Sequence, residues 1–133
     1  MPWLFRVVLP VTDIARGAGF YARLLQQEGR RVSPGRHYFD CEGTILACYD
    51  PLADGDGHAA MPIPEPVYLA VDDLEATLRR ACQGGARPFR DASPATGALG
   101  EIALRPWGER SFYAWDPFGN PLCLVSRESV FLG

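Results

Sequence analysis

The chain repeats itself at an offset of sixty residues: Val7, Leu9, Val11, Asp13 and Ile14 recur as Val67, Leu69, Val71, Asp73 and Leu74. In both copies apolar residues alternate, which is the period of a strand with one buried face. The Asp that follows stands where a helix N-cap belongs, because its carboxylate can accept from the unpaired N–H groups of a first turn. Asp72 and Glu75 suggest a capping box in the second copy. Ile14, Tyr21, Leu24 and Leu25 give the first predicted helix an apolar face, and Leu74, Leu78 and Ala81 do so for the second. Gly29 and Gly84-Gly85 are placed to stop the helices, the second about one turn shorter than the first. Chance can produce one alternating run. Strand, cap, helix and glycine stop repeated in order indicate duplication.

Short strand-like runs follow each helix. The first set lies near 31–33, 37–40 and 44–49; the second lies near 87–90, 101–105, 111–115 and 122–126. Asp116-Pro117-Phe118-Gly119-Asn120-Pro121 is a strong turn signal between the last two. Each half therefore reads β-α-β-β-β, an α+β arrangement, with modules over 1–50 and 66–133. The segment 51–65, rich in Asp, Gly, Ala and Pro, reads as the connector.

Charge and cysteine usage remove several function classes. A net charge of -3 with scattered basic residues argues against nucleic acid, which needs clustered Lys and Arg to displace counterions. Such a surface tolerates a cationic ligand. No apolar run reaches the roughly 20 residues of a membrane span, and the opening residues run straight into a strand pattern, so a cytoplasmic protein is expected. Cys41, Cys48, Cys82 and Cys123 form no C-x-x-C pair, as expected of reduced thiols.

The motifs carry a family resemblance. Val11-Thr12-Asp13-Ile14, then Phe20-Tyr21 and Leu24-Leu25, resembles the opening of the vicinal oxygen chelate superfamily, which holds glyoxalases, extradiol dioxygenases and bleomycin-resistance proteins. Val71-Asp72-Asp73-Leu74 resembles the start of its second module. Pro106-Trp107-Gly108-Glu109-Arg110-Ser111-Phe112-Tyr113, then Asp116-Pro117-Phe118-Gly119-Asn120, resembles its ending, closest to bleomycin-resistance-type members. The resemblance implies half-barrels around a shared cavity, each helix outside, and a homodimer. If Val7, Leu9 and Val11 face the helix, Arg6, Val8 and Pro10 face the cavity. In the second module Tyr68 and Ala70 do so.

The resemblance also tells where metal-dependent relatives carry His or Glu. Those positions fall on Arg6, near Leu46, on Pro66 and on Cys123. Arg offers only donors, Leu and Pro offer no ligand, and one Cys cannot assemble a site. No metal and no cofactor are expected, and metal-dependent glyoxalase or dioxygenase activity is disfavoured. His37 reads as an ordinary strand residue. The Asp54–His58 run resembles a calcium loop only superficially, since it lacks the glycine and helices such a loop needs.

What remains is a ligand set of Arg6, Tyr38, Leu46, Tyr68, Trp107, Phe112 and Cys123. Trp107 stands where bleomycin-resistance proteins place a stacking aromatic; Phe112 and Trp115 read more readily as core or interface residues than as ligand contacts. Arg6 either forks onto an anionic group or closes an internal ion pair. The expectation is a metal-free protein that sequesters a planar, aromatic or cationic, antibiotic-like small molecule. A metal-independent enzyme (lyase, isomerase or oxidoreductase-like) working through Arg6, Tyr68 or Cys123 is the alternative, and a non-catalytic interaction module the third.

Overall fold

Strand alternation places the apolar residues of each module under its helix, and the computed structural model, which describes residues 1–133, builds two units on that principle, Met1–Ile63 and Pro64–Gly133. The first contains β1 (Arg6–Pro10), α1 (Ile14–Leu25), β2 (Arg30–Ser33), β3 (Arg36–Cys41) and β4 (Thr44–Tyr49). Its sheet runs β1-β4-β3-β2, with β1 parallel to β4 and the other pairs antiparallel. Parallel neighbours need a long crossover, which α1 and the β2–β3 hairpin supply.

Register sorts the side chains. Val7 pairs with Leu46, Leu9 with Cys48, and Phe39 with Leu46, so these residues share the face that α1 covers through Ile14, Phe20, Tyr21 and Leu24. The Tyr21 and Phe39 rings lie 6.4 Å apart there. Arg6, Val8, Pro10, Tyr38, Ala47 and Tyr49 occupy the opposite, open face.

The second unit contains β5 (Val67–Val71), α2 (Leu74–Gln83), β6 (Arg87–Pro88), β7 (Ala92–Ser93), β8 (Gly97–Ala98), β9 (Ala103–Leu104), β10 (Arg110–Trp115) and β11 (Pro121–Ser126). Its sheet runs β5-β11-β10-β6, the same order as the first, again with outer strand and last strand parallel. Two features depart from the predicted elements. The runs at 87–90 and 101–105 shrink to two-residue strands, and β7–β8 is a hairpin absent from the sequence reading. Ser93 makes its turn, accepting from Thr96 N at 3.0 Å.

The caps hold, with corrections at the helix ends. Asp13 accepts from Arg16 N at 3.1 Å and Asp73 from Ala76 N at 3.0 Å. The capping box does not form: Asp72 precedes the cap and accepts from Arg127 Nε at 2.9 Å, while Glu75 pairs with Arg110. α1 stops at Leu25 with Gln26 in the left-handed region, three residues before Gly29. Gly29 serves clearance instead, since a Cβ there would lie 2.6 Å from Tyr38 O. α2 is shorter than α1 by two residues, 10 against 12, about half a turn rather than one. In the turn before β11, buried Asp116 accepts from Phe118 N, Asn120 N and Asn120 Nδ2 at 2.8, 2.9 and 2.9 Å. The Asp-Pro-Phe-Gly-Asn motif is thus a self-satisfied hairpin.

The start of the connector folds onto the first unit. Asp54 accepts from Ser33 Oγ (2.7 Å), Gly35 N (2.6 Å) and Arg36 Nε (3.3 Å). These bonds, that from Ser33 foremost, hold its carboxyl below the ordinary aspartate range. Residue 35 must be glycine for this closure, because a Cβ would lie 2.2 Å from Asp50 O and 2.8 Å from Asp54 N, both backbone atoms. Gly35→Ala is expected to destabilise the chain by about 3 kcal/mol through forced backbone displacement. Urea unfolding measures it, and an unchanged midpoint would show that the Asp50–Asp54 turn yields freely.

Candidate functional site

Each unit sets a tyrosine at the centre of the sheet face turned away from its helix; in the first this face is open around Arg6, and in the second Phe89 and Leu99 pack over Tyr113, Cys123 and Val125. In the first, Tyr38 stands beside Ala47, and the Arg6 guanidinium lies 5.5 Å from the Tyr38 ring and 5.1 Å from that of Phe5. Arg30 and Arg36 flank this face, but they are neutralised by Asp40 and Asp54 at 3.2 and 3.3 Å. Arg36 also covers the Tyr49 ring at 4.2 Å, and the Tyr49 hydroxyl donates to Asp56. Arg6 carries no carboxylate, so the internal ion pair envisaged from sequence is not formed.

In the second unit Cys123 pairs with Tyr68 on one side and Tyr113 on the other, so all three share the face away from α2, where Cys123 and Tyr113 are buried and only Tyr68 is exposed. The Tyr68 and Tyr113 rings meet edge to face at 6.4 Å. Phe89 adjoins Tyr113 at 5.7 Å and stacks on Trp115 at 4.2 Å. Burial, above all, raises the Tyr113 phenol, and hydrogen bonds with Tyr68 and Cys123 add to it. Burial likewise pushes the Cys123 thiol up to about 11, against the lowering effect of hydrogen bonds from Tyr113 and Ser111. This thiol stays protonated and is a poor nucleophile.

Behind them lies Arg105, 2% exposed. Its Nε donates to Ser111 Oγ at 3.0 Å; its terminal nitrogens donate to the carbonyls of Thr96, Ala98, Leu99, Glu101 and Ser111 at 2.8, 3.3, 3.1, 2.9 and 2.8 Å. The guanidinium lies 5.6 Å from the Tyr113 ring. These bonds replace the ladder that the segment 96–101 lacks.

Of the residues expected from sequence, the structure brings Arg6 to Tyr38 and Tyr68 to Cys123. Register puts Leu46 and Phe112 on the helix-covered faces, at 2% and 0% exposure, which for Phe112 is the core reading, and Cys123 is as deeply buried on the other face. Ala47 holds the open-face position beside Leu46, and Tyr113 the one beside Phe112. Trp107 lies on the turn between β9 and β10, its indole N–H donating to Glu109 Oε1 at 2.9 Å. Glu109 Oε2 accepts from Phe131 N at 3.0 Å, so this pair latches the last residues. Sequence reading missed Tyr113, Ser111 and Arg105. Phe112 and Trp115 differ by an odd number of positions and cannot share a strand face; that parity pointed to Tyr113 with Trp115.

A family model described as a glyoxalase-like domain matches residues 6–125. The chain belongs to the glyoxalase-like domain family. No curated protein matches its sequence significantly. A solved glyoxalase/bleomycin resistance protein from Albidiferax ferrireducens T118 is 17% identical, with a TM-score of 0.71 over 92% of this chain and 96% of that one. A glyoxalase-related enzyme from Fulvimarina pelagi is 18% identical, with a TM-score of 0.69 over 100% and 94%. A glyoxalase/bleomycin resistance protein/dioxygenase family enzyme from Burkholderia phytofirmans PsJN is 16% identical, with a TM-score of 0.68 over 92% and 97%. At such identities the likeness is one of fold.

The metal that this superfamily implies does not fit the side chains present. Nowhere in this glyoxalase-like domain do three His, Cys, Asp or Glu side chains converge. Arg6 brings a positive charge, Leu46 points under α1, and Cys123 alone cannot assemble a site. Both nitrogens of His37 are engaged: Arg31 Nε donates to Nδ1 at 3.3 Å, so Nε2 carries the proton and donates to Glu28 O at 2.9 Å. Asp54, the first residue of the calcium-like run, is committed to Ser33, Gly35 and Arg36. No helix is long and apolar enough to cross a membrane.

The thiol assignment is testable. With its pKa pushed up to about 11, Cys123 holds roughly a hundredfold less thiolate at neutral pH than a thiol at the reference value of 9.0. Iodoacetamide is expected to alkylate exposed Cys82 well before Cys123, read peptide by peptide by mass spectrometry. Equal rates in folded protein would refute the buried, protonated state.

Proposed function

We propose that this glyoxalase-like protein binds and holds a flat small molecule bearing a carboxylate or similar acidic group, acting by sequestration, with no metal ion and no chemical conversion. The observation that carries the reading is Arg6, an uncompensated guanidinium between two aromatic rings on an open sheet face. Arg presents a planar fork of donors that matches a carboxylate bidentately, while Phe5 and Tyr38 offer apolar area to a flat ring system. A cationic ligand, tolerated by the overall charge of -3, is disfavoured here by repulsion from that guanidinium. Membership of the glyoxalase-like family supports small-molecule binding in general; the acidic, planar character of the ligand rests on Arg6.

Calorimetric titration with benzoate and naphthoate, their amides, and quaternary ammonium analogues tests the reading. The carboxylates are expected to bind saturably and the ammonium compounds not at all. Arg6→Gln is expected to weaken carboxylate binding by about tenfold, the loss of one charge-assisted contact. Equal affinity for acid and amide, or no saturable binding by any of them, would overturn the proposal.

A further inference from the structure

Two guanidinium groups reach the same ring on the open face of the first unit. Arg6 Cζ lies 5.5 Å from the Tyr38 ring centroid, and Arg30 Cζ lies 6.0 Å from it. The sheet order β1-β4-β3-β2 puts Arg6 and Arg30 on the two outer strands, with Tyr38 on β3 between them. Arg30 and Tyr38 are register partners, which fixes the backbone of the second arginine in the ladder. Both arginines are exposed, so both can meet one molecule lying across this face.

The arginines of this face differ in what they already hold. Arg6 carries no carboxylate, whereas Arg30 makes one contact with Asp40 at 3.2 Å, the two side chains being 51% and 67% exposed. A pair so exposed is weak, because water screens it and holding two long side chains costs entropy. The contact uses one terminal nitrogen, and the rest of the Arg30 fork stays available. Arg36 is the contrast. Its Nε bonds Asp54, a 12% exposed carboxylate that Ser33 and Gly35 also hold, and its guanidinium lies 4.2 Å from the Tyr49 ring. Arg36 is committed, while the Arg30–Asp40 pair can open. The Asp40 main chain does not depend on that pair: Gln27 Nε2 donates to Asp40 O at 2.8 Å, and Asp40 N donates to Gln27 Oε1 at 3.2 Å.

We propose that the molecule held at Arg6 carries a second acidic group, which Arg30 binds on the far side of Tyr38, with Asp40 as the internal carboxylate it displaces. The ligand class is a flat dianion with an acid at each end of an aromatic body. This rests on the proposed acid contact at Arg6, and adds Arg30 and Asp40 as the residues that select two acids over one. The two guanidinium carbons are no farther apart than their ring distances laid end to end, a gap that a two-ring body with terminal acids spans. Tyr38 borders that body, and Phe5 and Val8, 50% and 39% exposed, add apolar area. Once one acid is held, the second meets Arg30 at high local concentration, and Asp40 competes for the same fork.

The probes are 2,6-naphthalenedicarboxylate and its monomethyl ester, which share one body and differ by one acid. Calorimetric titration of the whole chain at low ionic strength, where exposed charges are least screened, compares them. The dicarboxylate is expected to bind about fivefold more tightly than the ester, beyond the statistical gain of its two equivalent ends. Arg30→Gln is expected to reduce that ratio to the statistical gain. Asp40→Asn removes the competitor and is expected to raise the ratio about threefold, an increase that structural damage would not produce. Both substitutions fall on exposed side chains, one reading the pair by a loss and the other by a gain. A wild-type ratio no larger than the statistical gain would overturn the inference, as would a full ratio in Arg30→Gln or an unchanged ratio in Asp40→Asn. Ester binding that depends on Arg6, with no gain from the second acid, would sink this inference and leave the acid contact at Arg6 intact. No saturable binding of either compound would sink both.

Discussion

The parallel pairing of first and last strands in each unit is the constraint on which the rest depends. Val7 beside Leu46, and Leu69 beside Leu124, fix which residues lie under a helix and which lie on the open face. A slip of one residue would exchange the two sets entirely. The helix enforces the register because only one phase sets the large aliphatic residues and phenylalanines beneath it. Val11, Tyr21 and Phe39 are fully buried in the first unit, and Leu74, Phe112 and Leu124 in the second. The chemistry available to a ligand is therefore what the fold leaves over after the helices have been covered.

The second unit departs from this economy at one point. Between β6 and β10 the chain has too little ladder to satisfy its own carbonyls, and Arg105 supplies donors from within. Burying an ion is costly unless its hydrogens are all matched, and here they are. The same guanidinium fastens the 96–101 segment and sets the electrostatics behind Tyr113. Structure and polarity are coupled through a single side chain.

What could be read from sequence follows from range. The alternation around Val7–Val11 and Val67–Val71 and the caps Asp13 and Asp73 are local, and each formed as expected. Leu46 was misplaced because its face depends on pairing with β1, nearly forty residues earlier, and nothing in Ile45-Leu46-Ala47 marks the phase. Phe112 was read as a ligand contact or a core residue, and its register under α2 takes the core side. Gly29 read as a helix stop, but its neighbours in space, Tyr38 and Phe39, are what demand glycine. Arg105 gave no signal, since an arginine is buried only where distant carbonyls converge on it.

Comparing the halves by register rather than by sequence shows what duplication kept. Tyr38 faces Ala47 as Tyr113 faces Cys123, and Val8 stands beside Ala47 as Tyr68 stands beside Cys123. Both units thus set a tyrosine at the centre of the face away from the helix, and both bring a guanidinium to it, at 5.5 Å from Arg6 and 5.6 Å from Arg105. In the first unit the arginine comes from the outer strand and remains exposed, with its donors available. In the second it comes from the segment before β10 and is consumed by Ser111 and five backbone carbonyls, so no donor is left for the surface. The repeat preserved a scaffold and an arginine–tyrosine pair, while the route from charge to surface diverged. Similar motifs therefore leave one unit with a guanidinium exposed on its sheet face and the other with a guanidinium spent on its own backbone.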